Sequence, residues 1–174
     1  MAKLPFTKLN LKINEEVKTI EFNEQTIEIK QYLSVDEKLK IIEKVLNNSA
    51  DDNNFANPVK VFVYTAIEII NYYTNITFTE KQRENVNKLY DVIISSGLYE
   101  AIYTNIPRDE YNDLLGDIKD TIDAYYKYKN SVFGILDTIS TDYSNLNLDA
   151  TNIQQKLADP DNMALLKNIL TKLG

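Results

Sequence analysis

The chain has 174 residues and a formal net charge of −7 at pH 7, and it contains no Cys, no His and no Trp. Without Cys there is no disulfide, no thiolate nucleophile and no Cys-based zinc or iron–sulfur site; without His, Ser-His-Asp and Cys-His catalysis are excluded and the commonest transition-metal ligand is missing. An acidic chain is repelled by phosphate backbones and anionic lipid, which disfavours direct nucleic-acid and membrane-surface binding.

The apolar fraction of 44% is enough for a real core, and Gly and Pro number only 4 each, which fits long uninterrupted elements. The opening MAKLPFTKLNLK lacks the continuous apolar stretch of a signal peptide. The most apolar run, residues 59–73, is interrupted by Lys60, Thr65, Glu68 and Asn71 and is too short and polar to cross a bilayer. The expectation is a soluble cytoplasmic protein with no membrane contact.

Residues 7–33 show a period of two. Leu9, Leu11 and Ile13 alternate with polar residues, as do Ile20 and Phe22, and then Ile27 and Ile29. That alternation predicts three short half-buried strands, the last two joined at Asn23-Glu24. Their apolar face needs cover, which the following helices supply.

Ser34 and Glu37 have capping-box spacing and open a helix with Leu39, Ile42 and Leu46 on one side, flanked by Ile41 and Val45. After a polar loop at residues 47–57, Asn57-Pro58 restarts a helix by the cap-plus-proline rule. Its β-branched content resembles a strand, but its length and proline start favour a buried helix. Thr79 and Gln82 repeat the box and open a third helix through Val86, Leu89, Tyr90 and Ile93, ending at Gly97. Residues 98–105 form a short helix or turn.

Pro107 then begins what reads as the longest element, a central helix over about 107–142. Tyr111, Leu115, Ile118, Ile122, Tyr125, Lys129, Val132, Leu136 and Ile139 step by four and three, a 3.5-residue seam about 50 Å long. Asp149 and Asp159-Pro160 start two further short helices, the last with Met163, Leu166, Ile169, Leu170 and Leu173 inward. The predicted architecture is α+β and mostly α. A small antiparallel sheet at residues 1–33 packs on a helical bundle at 34–174, together one compact domain.

The long helix carries Asp109, Glu110, Asp113, Asp117, Asp120 and Asp123. Hard cations need oxygens converging from several elements, and one helix supplies only parallel carboxylates, so the cluster reads as a solvated face or an electrostatic partner surface. Asp51 and Asp52, and Asp159 and Asp161, lack the EF-hand pattern. Lys129 in the seam reads as a stem covering apolar surface. The run AYYKYKN, residues 124–130, reads as core with an amphipathic edge rather than a base-stacking platform, which would sit in a basic groove. The candidate partner surface is Asp113, Asp117, Asp120, Tyr126 and Tyr128. No catalytic, metal or cofactor residue is singled out, and the expectation is a non-enzymatic protein.

The stretches IEFNEQTIEIKQYLSVDEKL (20–39), ADDNNFANPVKV (50–61), NITFTEKQ (75–82), STDYSNLNLDA (140–150) and KLADPDN (156–162) resemble small proteins of tailed bacteriophages and prophages, from about residue 8 to Gly174. The short β segment leading into helices looks like tail assembly chaperones. That resemblance implies a non-enzymatic assembly factor that binds tape-measure or tail-tube protein. A phage-encoded acidic inhibitor of a host defence complex, imitating nucleic-acid phosphates, is the alternative. A homo-oligomer is compatible with a 3.5-residue seam.

Overall fold

The computed structural model describes residues 3–51 and 55–145. The chain divides into two compact units at Tyr126/Lys127. Among the described residues it is α+β and mostly α: one two-stranded antiparallel sheet and seven α-helices.

A 3-10 turn at Phe6–Leu9 precedes strands β1 (Val17–Phe22) and β2 (Gln25–Lys30). The strands pair from Val17 opposite Lys30 to Phe22 opposite Gln25. Asn23 and Glu24 form the two-residue connection, both with positive φ (49° and 63°). That is the primed turn that a right-twisted hairpin favours, made here without glycine. Ile27 and Ile29 point into the core. The third expected strand does not form. Residues 10–16 are irregular, and Leu11 and Ile13 are exposed at 66% and 72%. Alternation is a pattern that a strand requires, but it does not supply a partner.

Helix α1 (Val35–Asn48) opens with the expected box: Ser34 Oγ accepts from the Glu37 N–H, and the Glu37 carboxylate accepts from the Ser34 N–H. Burial pushes the Glu37 carboxyl up, but the Lys30 ammonium and the two Ser34 donors outweigh it and hold the group below its ordinary range. The inward face is Ile41, Ile42 and Val45, whereas Leu39 faces solvent.

Helix α2 (Pro58–Tyr73) is capped by Asn57, whose side chain accepts from the Val59 and Lys60 N–H groups. Residues 65–70 are buried without interruption, so the middle of this helix is covered around its circumference, while Val59 and Phe62 in its first turns are exposed. It packs on α1, on β2, and on two later helices, Val86–Ser95 and Leu98–Tyr103. The β-branched segment is therefore a helix at the hub of the first unit, and the centre of the fold lies here.

Thr79 and Gln82 form their box and start α3 (Glu80–Glu84), but Asn85 re-caps the chain and starts a separate α4 (Val86–Ser95). One expected helix is thus two. Asn85 has φ −116° and ψ 65°, off the helical path, and its side chain accepts from the Lys88 N–H. Gly97 sits at φ +76° between α4 and α5 (Leu98–Tyr103), the left-handed residue that ends a helix with little strain.

The expected rod over 107–142 is also two helices, α6 (Arg108–Lys129) and α7 (Val132–Asn145). Pro107 lies just before the first and offers its carbonyl to the Tyr111 N–H. The break has a local cause. Ser131 donates its N–H and its hydroxyl to the Tyr128 carbonyl, and its Oγ accepts from the Gly134 N–H, so it caps a new helix. The buried stripe of α6 is Leu114, Ile118, Ile122 and Tyr126, stepping by four. Tyr111 and Leu115 are half-buried at its edge, while Val132 and Leu136 are exposed. The expected helices at Asp149 and Asp159-Pro160 lie outside the described residues.

Candidate functional site

Three features of the first unit combine polarity with burial or apolar surface with exposure. The first is Glu110, in the first turn of α6. Its side chain is only 10% exposed. Its Oε1 accepts from the Leu33 backbone N–H at 2.9 Å and from the Tyr73 hydroxyl at 3.0 Å. Its Oε2 takes the Lys38 ammonium at 2.8 Å. Of the acids on this helix, it is the one turned inward; Asp109, Asp113, Asp117, Asp120 and Asp123 are exposed. Burial, and then the charge of Glu110, push the Tyr73 phenol far above its ordinary value, so the hydroxyl stays protonated and donates.

The second is Glu68, in the middle of α2. It meets Lys44 at 3.0 Å and Arg83 at 3.2 Å, and Asn71 joins both Glu68 and Arg83. Burial lowers the Lys44 ammonium, but its bond to Glu68 and the opposite charge reverse this and leave it raised. Lys44 also stands over the Tyr72 ring and Arg83 over the Phe78 ring. Each carboxylate accepts on both of its oxygens from donors on other elements, so the arrangement holds helices together and leaves neither as a free base. Nothing local in the sequence names their partners. The signal for Glu68 is an acid inside an apolar helix, which must be paired if buried.

The third is a groove of about 350 Å³ between the start of α2 and the middle of α6. Pro58, Val61 and Phe62 form one wall, Leu115, Ile118 and Ile122 the other. Phe62 is 68% exposed. Thr65, 4% exposed, also lines it, and its Oγ1 has no hydrogen-bond partner among the described residues. A buried hydroxyl left unbonded is uncommon and destabilising. Lys119 and Asp123 pair at 2.6 Å on the lip. The groove offers an apolar slot about two helical turns long.

The expected partner surface is only partly assembled. Asp113, Asp117 and Asp120 are exposed along α6. Tyr126 is 9% exposed and packs edge-on against Tyr125 as part of the core, so its ring is not on a surface. Tyr128 is exposed and belongs to the second unit. A tyrosine cluster that the sequence does not single out joins α5 to α6: Tyr99 and Tyr111 share a hydrogen bond at 3.0 Å, and Tyr103 lies 5.5 Å from both rings. Burial, and then the bond to Tyr111, push the Tyr99 phenol far up.

Among the described residues, no group of three or more carboxylates is gathered closely enough to hold a metal ion, and no helix is long and apolar enough to cross a membrane. Comparison with family models, curated proteins and solved structures gave no match.

Proposed function

We propose that this chain is a non-enzymatic protein-interaction factor of a tailed bacteriophage, acting in the host cytoplasm as a tail assembly chaperone for a tape-measure or tail-tube protein. The observation that carries the interaction reading is the α2–α6 groove, where exposed Phe62 stands beside Leu115, Ile118 and Ile122 in one apolar slot. Such a slot suits an amphipathic helix of a partner, laid in by apolar residues three and four apart. The phage role rests on the sequence resemblance. Co-expression with tape-measure and tail-tube proteins tests it: a soluble complex that Phe62→Asp abolishes is expected. Association with neither protein overturns the assembly role, and a complex indifferent to Phe62→Asp overturns the groove.

One observation favours a second reading. Asp113, Asp117 and Asp120 stand exposed in a row on α6, away from the groove. An inhibitor of a host defence complex would use that row in place of phosphates. It would compete with DNA for a nuclease, weaken steeply with salt, and fail when the three are changed to Asn.

A further inference from the structure

Residues 8–13 carry a strand's alternation, and β1 carries a free strand edge; among the described residues neither has a strand to pair with. On one side β1 pairs with β2; on the other, no strand pairs with it among the described residues. The segment 8–13 and the strand 17–22 are both six residues long. Leu11 and Ile13 are mostly exposed, and Leu9 about half. Asn10 holds positive φ (50°), which keeps the segment from being extended where it now lies.

The connection between them does not reverse. The Glu16 carbonyl accepts from the Gln31 N–H at 2.9 Å, which continues the β1–β2 register one step beyond Val17 opposite Lys30. The Glu16 N–H is held by Asn14 Oδ1 at 2.9 Å. Residues 11–14 line a hollow with Tyr32, just past the end of β2, and no residue of β1 lines it, so the arm sits away from its own strand's free edge. An apolar arm and an open edge that cannot meet within one chain can meet between two.

We propose that residues 8–13 add as a third strand to β1 of a second copy, in a reciprocal two-fold exchange. The register follows from the faces. Ile20 and Phe22 lie on the side of the sheet that Ile27 and Ile29 bury, so an antiparallel arm places Leu11 opposite Ile20 and Leu9 opposite Phe22. Ile13 then lies opposite Lys18. Asn10 becomes extended and loses its left-handed conformation. Each copy gives one arm and receives one, so the exchange closes at two and covers both free edges. The pairing stands independently of the assembly reading, because it needs only this chain.

The test uses the full chain. Sedimentation velocity from micromolar to submillimolar concentration is expected to show a dimer. The variant Leu9→Asp/Leu11→Asp/Ile13→Asp is expected to sediment as a monomer with an unchanged helical circular-dichroism signal. A monomeric native chain at every concentration, or a variant that still dimerises, overturns the proposal. The chain has no Cys, so Leu11→Cys/Ile20→Cys gives an unambiguous second readout. Oxidation is expected to link two chains. Closure within one chain, or no cross-link, overturns the exchange.

Discussion

Glu110 accepts a hydrogen bond from the backbone N–H of Leu33, 77 residues earlier in the chain, at 2.9 Å. The same carboxylate takes the Lys38 ammonium and the Tyr73 hydroxyl, so one side chain of α6 ties together the end of the hairpin, α1 and α2. Removing it leaves a buried N–H, a buried hydroxyl and a poorly hydrated ammonium without a partner. Glu110→Ala is expected to destabilise the fold by about 3 kcal/mol, measured by urea unfolding. Glu110→Gln keeps an acceptor and should recover part of the loss. A cost under about 1 kcal/mol for the alanine variant would contradict the tie.

Glu68 is equally buried, yet its replacement should behave differently. Lys44 and Arg83 are 43% and 37% exposed, so both can turn to water when the carboxylate is gone. A well-packed apolar side chain in place of a buried ion is often neutral. Glu68→Leu is expected to change stability by no more than about 1 kcal/mol, whereas Glu110→Leu should cost as much as Glu110→Ala. Equal effects at the two sites would show that the partners' exposure does not set the outcome.

The two buried phenols make the fold sensitive to alkali. Tyr73 and Tyr99 have folded pKa values raised above the unfolded value of about 10. A phenol raised on folding contributes stability that is fully present below its unfolded pKa and is lost as pH climbs toward the folded one. The melting temperature should therefore fall above about pH 10. Tyr73→Phe should make that fall shallower while lowering the neutral-pH value, because Glu110 loses a donor. An unchanged alkaline slope in both Tyr73→Phe and Tyr99→Phe would refute the assignment.

Three glycines should respond to alanine with different signs. Gly116 lies inside α6 with open space where a Cβ would be, so Gly116→Ala should stabilise by about 0.5–1 kcal/mol. Gly97 also has open space, but its φ of +76° makes Gly97→Ala unfavourable by about 1 kcal/mol. At Gly134 a Cβ would overlap the Tyr128 carbonyl oxygen and crowd the Lys129 backbone. Gly134→Ala should disrupt the cap that Ser131 makes, seen as lost helical signal. Thermal melts of the three variants would separate open space from strain and from collision.

What the sequence makes legible follows from the distance over which each feature is decided. Helix starts are set within three residues, and Ser34 with Glu37, Asn57 with Pro58, and Thr79 with Gln82 can all be read directly. The turn at Asn23-Glu24 is equally local. Periodicity misleads where it runs across a local signal. The four-three steps continue through Ser131 although that residue caps a new helix, and Val86 to Ile93 continue a pattern that Asn85 has already restarted. The inward face of α1 goes to Ile41 rather than Leu39 because neighbours select among apolar stripes that the sequence offers equally. Of the candidate surface, the exposed aspartates are legible as charges on one helical face. Tyr126 is not legible, because its ring lies on the buried stripe of α6 and an amphipathic side chain does not announce its side. Glu110 and Glu68 are the hardest, because their partners on other elements lie 15 to 77 residues away.

The caps and the Glu110 tie also differ in when they can form. A cap closes a loop of three residues, whereas the tie must wait for a chain segment of more than seventy to come together, at a larger entropic cost. Folding should therefore set the helix starts early and fasten α6 to the hairpin late. In a chevron analysis Ser34→Ala is expected to slow refolding, while Glu110→Ala should leave refolding nearly unchanged and speed unfolding. The carboxylate that binds the most distant parts of the first unit would then act as its latch, setting how long the folded state lasts rather than how fast it is reached.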